Sequence, residues 1–87
     1  MNPRLVGIHT ASQGKLLLRF ATGELREFDV GPYIARGGVF AALADPDRFA
    51  AAKVVSGSVE WPGEVDLSYD TLYVRSVPVT GAGQQAA

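Results

Sequence analysis

The sequence predicts a small α+β domain, an antiparallel sheet built as a three-stranded meander plus a second short strand pair, with two short helices. Three observations predict it. Apolar residues alternate with period two in the segments Arg4 to Thr10 and Lys15 to Phe20, where branched and aromatic side chains favour a pleated strand. Helix starts appear only later, at Asp45-Pro46-Asp47 and at Ser68. The order strand–strand–strand, helix, strand–strand, helix lacks the regular alternation of a doubly wound sheet.

A chain of 87 residues with 47% hydrophobic content has room for one core. Residues 1–79 therefore read as a single domain, and the small, polar stretch 80–87 as a disordered tail.

The elements follow in order. Arg4 to Thr10 reads as a first strand, and Ala11-Ser12-Gln13-Gly14 as a turn. Lys15 to Phe20 is the clearest strand: Leu16, Leu18 and Phe20 share one face, Lys15, Leu17 and Arg19 the other. Thr22-Gly23 reads as a two-residue turn, with Glu24 to Val30 returning. That register sets Phe20 opposite Leu25 and Leu17 opposite Phe28, on opposite faces of the hairpin. The second face then carries an apolar pair among charges.

Gly31-Pro32 ends the strand, and Tyr33 to Arg36 has the length of one helical turn before Gly37-Gly38. Asp45 as N-cap, Pro46 at the first helical position and Asp47 at the positive dipole end predict a helix to about Ala52, anchored by Phe49. Lys53 to Ser56 and Ser58 to Trp61 read as short strands about Gly57, and Pro62-Gly63 as a turn. Val65 and Leu67 flank Asp66. Ser68 caps a last helix from Tyr69 to about Val74, with Tyr69, Leu72 and Tyr73 on one face; Val77-Pro78-Val79 is extended.

Composition excludes several function classes. The chain has 8 basic and 9 acidic side chains, interspersed, for a formal charge of -1. It has no basic stripe of the kind that marks a nucleic-acid binder or an anionic membrane surface. Cysteine is absent, which removes disulfide frameworks, thiolate zinc sites and cysteine nucleophiles together. The N-terminus lacks an apolar signal segment and no apolar run reaches bilayer length, so a cytoplasmic location is expected, without a membrane partner.

His9 is the only histidine, so a serine–histidine–aspartate triad or a multi-histidine metal site has little to build from. It reads as a partly exposed strand residue. Gly37-Gly38 is not followed by the lysine and hydroxyl of a phosphate-binding loop, and no dinucleotide fingerprint occurs. No cofactor is implied. Glu60, Glu64, Asp66 and Asp70 form the densest carboxylate group, with Trp61 among them. Read as chemistry, Glu64, Asp66 and Asp70 make a weak acidic metal site without EF-hand spacing; read as structure, they are a solvated loop and a helix cap. Trp61 is either a core anchor whose indole N–H needs a partner or an exposed contact beside Tyr69 and Tyr73.

Several segments resemble a bacterial family known as domain of unknown function 2442. They are a Leu-x-Leu-x-Phe hairpin running from Leu16 to Asp29, a Gly-Val-Phe-x-x-Leu-x-Asp-Pro-x-x-Phe segment from Gly38 to Phe49, and Trp61-Pro62 followed by Asp66 and by Asp70 to Tyr73. The family continues Trp-Pro with Asn-Gly, whereas Gly63-Glu64-Val65 follows here. The resemblance implies a short bacterial or phage protein of small α+β fold without established activity. It also implies, for some members, a neighbouring small gene in an arrangement like a toxin–antitoxin pair.

Together these observations favour a non-enzymatic protein-interaction module, with Leu17, Phe28, Trp61, Tyr69 and Tyr73 as the candidate surface and a protein partner or self-association as its business. The alternative is a small metal-dependent hydrolase or nucleic-acid-processing factor using Glu64, Asp66 and Asp70.

Overall fold

A computed structural model describes residues 2–79, and the expected tail at 80–87 lies outside them. Strands β1 (Leu5–Thr10), β2 (Lys15–Phe20) and β3 (Leu25–Asp29) form the antiparallel meander. A seventh strand, Val77–Pro78, returns antiparallel beside β3, so the first sheet has four strands. Lys53–Val55, Ser58–Trp61 and Val65–Leu67 make a second, three-stranded antiparallel sheet. In chain order these last four are β4, β5, β6 and β7, with Val77–Pro78 as β7. The fold is α+β, with two more strands than the sequence announced.

Both additions have one cause. β6 and β7 are three and two residues long, too short for an alternating pattern to declare itself. Each exists because a longer strand offers it an edge: Trp61↔Val65 and Val59↔Leu67 pair β6, and Glu27↔Val77 pairs β7.

The β2–β3 register also corrects the expectation. The connection is three residues, Ala21-Thr22-Gly23, closed by the Gly23 N–H donating to the Phe20 carbonyl (2.8 Å) and the Phe20 N–H donating to the Glu24 carbonyl (3.0 Å). Gly23 takes φ +92, the left-handed position that a three-residue hairpin loop assigns to glycine. One extra loop residue slips the register by one and turns every β3 side chain over. Leu16 therefore faces Phe28, Leu17 faces Glu27 and Arg19 faces Leu25.

Three short helices complete the chain: α1 (Gly31–Arg36), α2 (Pro46–Phe49) and α3 (Tyr69–Arg75), with a 3-10 segment at Gly38–Ala44. The expected caps form. The Asp45 carboxylate accepts from the Asp47 N–H, and the Ser68 hydroxyl accepts from the Thr71 N–H. α2 is shorter than expected. After Phe49 its bonds tighten to Ala51 N–H on the Arg48 carbonyl and Ala52 N–H on the Phe49 carbonyl, a tapering last turn.

One hydrophobic cluster joins the two sheets. Leu16, Leu18 and Phe20 of β2 and Phe28 of β3 meet Val59 and Trp61 of β5, Val65 and Leu67 of β6, Phe49 of α2 and Leu72 of α3. The sheets are tied directly where the Leu5 N–H donates to the Gly57 carbonyl (2.9 Å).

Candidate functional site

The face of the four-stranded sheet turned away from the core carries three exposed apolar residues. Leu17 of β2 (40% exposed), Leu25 of β3 (50%) and Val77 of β7 (57%) lie on it. Pairing sets them among charges: Lys15 opposite Asp29, Leu17 opposite Glu27, and His9 on β1 opposite Leu17. β2 thus presents Lys15, Leu17 and Arg19, while β3 presents Leu25, Glu27 and Asp29. The two strands carry opposite signs. Among the described residues, none of Lys15, Arg19, Glu27 and Asp29 closes an ion pair. An open concavity of about 340 Å³ lies on this face, lined by Gly7, His9, Leu17, Arg19 and Leu25 among others. The missing side chain of Gly7 opposite Arg19 helps to make it.

The five residues expected to form one contact surface do not come together. Leu17 is exposed on the outer face. Phe28 is 1% exposed and packs in the core, because the three-residue loop turned it inward. Trp61 is buried, stacked on Phe49 with ring centroids 6.1 Å apart, and its indole N–H donates to the Phe49 carbonyl (2.9 Å). That answers the choice posed by its amphipathic ring: it is the core anchor. Tyr69 and Tyr73 are half-buried on α3.

Tyr73 belongs to a polar clasp. Its hydroxyl donates to Glu24 (2.9 Å), and its ring lies edge-on to Phe20 and under the Arg26 guanidinium, 4.5 Å from centroid to Cζ. Arg26 donates to the Ser76 hydroxyl (2.6 Å) and to the Ser76 carbonyl (2.9 Å), and pairs with Glu24 at 3.4 Å. The Thr22 hydroxyl and then Tyr73 and Arg26 hold the Glu24 carboxyl below its ordinary range. The same hydrogen bond to Glu24 raises the Tyr73 phenol. These groups fasten the C-terminal end of α3 to β3 at the margin of the core face.

The carboxylates of the alternative reading are spread out. Asp66 faces Glu60 across β5–β6, Glu64 sits in the turn between those strands, and Asp70 on α3 accepts from the Asn2 side-chain amide (3.0 Å). Among the described residues no three His, Asp or Glu side chains converge as a metal-holding group. The departure at Gly63-Glu64 has a plain structural role: these positions take φ +93 and +65, values that suit Gly and Asn. The family's Asn-Gly would satisfy both; Glu64 holds the second under strain. No described helix is long and apolar enough to cross a membrane.

Sequence reasoning missed Leu25, Glu27 and Val77 as surface residues. The available signal was Gly23 itself, since a glycine at the last position of a three-residue loop gives the observed register as naturally as a two-residue turn gives the other.

No curated protein and no solved structure matches the chain. The family model described as "Protein of unknown function (DUF2442)" matches residues 6–78, most of the 87-residue chain, and the chain belongs to that family.

Proposed function

We propose that the chain is a non-enzymatic protein-interaction module whose contact surface is the outer face of the four-stranded sheet, acting as one component of a two-gene unit of the toxin–antitoxin kind. One observation carries the reading. Leu17, Leu25 and Val77 stay exposed in a field of charges that close no ion pair among the described residues. An apolar centre with a charged rim is the anatomy of a protein contact. The gene-pair context comes from the family resemblance, and the absence of cysteine and the single histidine favour binding over catalysis.

The test is co-purification from the native host using the wild-type chain and Leu17→Glu. The wild type retains a protein through this face and the variant, folded by circular dichroism, releases it. Equal retention by both refutes the proposed surface, and retention by neither refutes a host-protein partner on it. The carboxylate alternative has no comparable support, since Glu64, Asp66 and Asp70 do not converge.

A further inference from the structure

We propose that the occupant of this face is a second copy of the same chain, packed face to face across a two-fold axis that runs along the strands between β2 and β3. The proposal rests on the preceding reading of the face as a contact surface and names its partner.

The strand order β1-β2-β3-β7 decides the geometry. A two-fold rotation about an axis between the central strands and parallel to them lays β2 over β3 of the copy, and β1 over β7 of the copy. The basic strand then meets the acidic one. Lys15 comes over Asp29 of the second copy, and Arg19 lands one pleat from Glu27 of the second copy, within its side-chain reach. The other in-plane two-fold, perpendicular to the strands, reverses each strand over itself. It would set Lys15 over Arg19 and Glu27 over Glu27 of the second copy, which like-charge repulsion opposes. The charge pattern therefore selects one of the two face-to-face symmetries, and that selection is what makes the surface self-complementary.

Shape agrees with charge. Val77, Glu27, Leu17 and His9 occupy one level across the sheet. With β7 of the copy over β1, the exposed Val77 side chain of the copy arrives at the concavity beside Gly7, His9 and Leu17. The knob on one edge of the face matches the hollow on the other, and the two-fold makes the contact twice.

Size sets the strength. Four strands at about 4.8 Å and six residues at about 3.4 Å give a face of about 19 by 20 Å. Over both partners that is at most about 800 Å², below the roughly 1,200 Å² of stable specific interfaces, so the dimer is weak and reversible.

The experiment is sedimentation velocity on the full chain over a concentration series. The wild type shows a monomer–dimer equilibrium that weakens as salt rises. Arg19→Glu and Glu27→Arg, each confirmed folded by its thermal melt, each weaken self-association about tenfold or more. Mixed in equal amounts they restore a dimer, because the heterodimer pairs Glu at 19 with Arg at 27 at one contact and keeps native Arg19 with native Glu27 at the other. A chain that remains monomeric throughout, or a dimer indifferent to both reversals, overturns the proposal. Co-purification separates this from the module reading. A monomeric chain that still holds a host protein through Leu17 leaves the module standing and removes the self-association. A dimer that answers the reversals while no host protein is retained supports the self-association and confines the module to it.

Discussion

Glu24 and Tyr73 show how single side chains set the conditions under which this fold is stable. Glu24 is a carboxylate held low by hydrogen bonds from Thr22 and Tyr73, with Arg26 beside it. A carboxyl lowered on folding adds stability above its unfolded value, and that stability is lost as the pH falls through the folded value. Tyr73 is raised by its bond to Glu24. A phenol raised on folding adds stability below its unfolded value, and loses it as the pH rises through the folded one. The clasp is therefore whole between the carboxylate and phenol ranges and fails on both sides. Tyr73→Phe keeps the ring against Phe20 and under Arg26 but removes the hydroxyl. The melting temperature of the variant falls at neutral pH, and its loss toward alkaline pH is smaller than in the wild type. Its acid loss shrinks without vanishing, because Thr22 still donates to Glu24. Thermal melts from about pH 3 to about pH 11 follow the stability on both the acid and the alkaline side. A variant profile parallel to the wild type across that range would show that the hydroxyl does not couple to stability.

Among the elements, those defined by local chemistry were legible in the sequence. Lys15 to Phe20 alternates cleanly, and it is β2. Asp45 and Ser68 are helix caps because a side-chain oxygen near the first N–H groups needs only its own neighbours. What was not legible depends on distant partners or on one residue of loop length. β6 and β7 are strands by virtue of the edges they meet, and the β2–β3 register turned on whether Ala21 belongs to a strand or to the loop. The candidate surface suffered for the same reason. Leu17 was placed outward by β2's own alternation, but Phe28 inherited its face from the register. The two registers make opposite demands on Phe28. With Phe28 1% exposed, Phe28→Ala removes a core ring and costs about 3–5 kcal/mol, close to the whole stability of a domain this size. Leu17→Ala, on the outer face, stays within about 0.5 kcal/mol. Urea denaturation of the two variants, at protein concentrations low enough to keep the chain monomeric, measures the contrast. Comparable losses would place Phe28 on the surface and restore the two-residue turn.

At the scale of the whole molecule, two small sheets behave as one body only if the seam between them holds. The seam is narrow. The Leu5 N–H bonds the Gly57 carbonyl, the Arg4 guanidinium donates to the Ser56 carbonyl (2.9 Å), and the Arg4 side chain lies across Gly57. Ser56 and Gly57 form the two-residue turn between β4 and β5, both with positive φ (51 and 81). A methyl group at Gly57 would stand 2.7 Å from Arg4 Nε and 3.0 Å from Arg4 Cβ, in a backbone conformation already unfavourable to any side chain. Gly57→Ala therefore strains the turn and pushes Arg4 off it, at a cost of about 1–3 kcal/mol. The informative quantity is how that cost is shared. Trp61 is the sole tryptophan, and it is buried on β5 of the second sheet, so its fluorescence reports there. Far-ultraviolet circular dichroism weighs all strands and helices together. Because the core runs unbroken from Leu16 and Phe28 to Trp61 and Leu67, loosening the seam lowers the stability of both sheets at once. The two signals then shift to lower urea by the same amount and remain superimposed, as a two-state transition requires. A fluorescence transition that moves ahead of the dichroism would mean that the second sheet unfolds by itself, and that the shared core does not bind the two sheets into one cooperative unit.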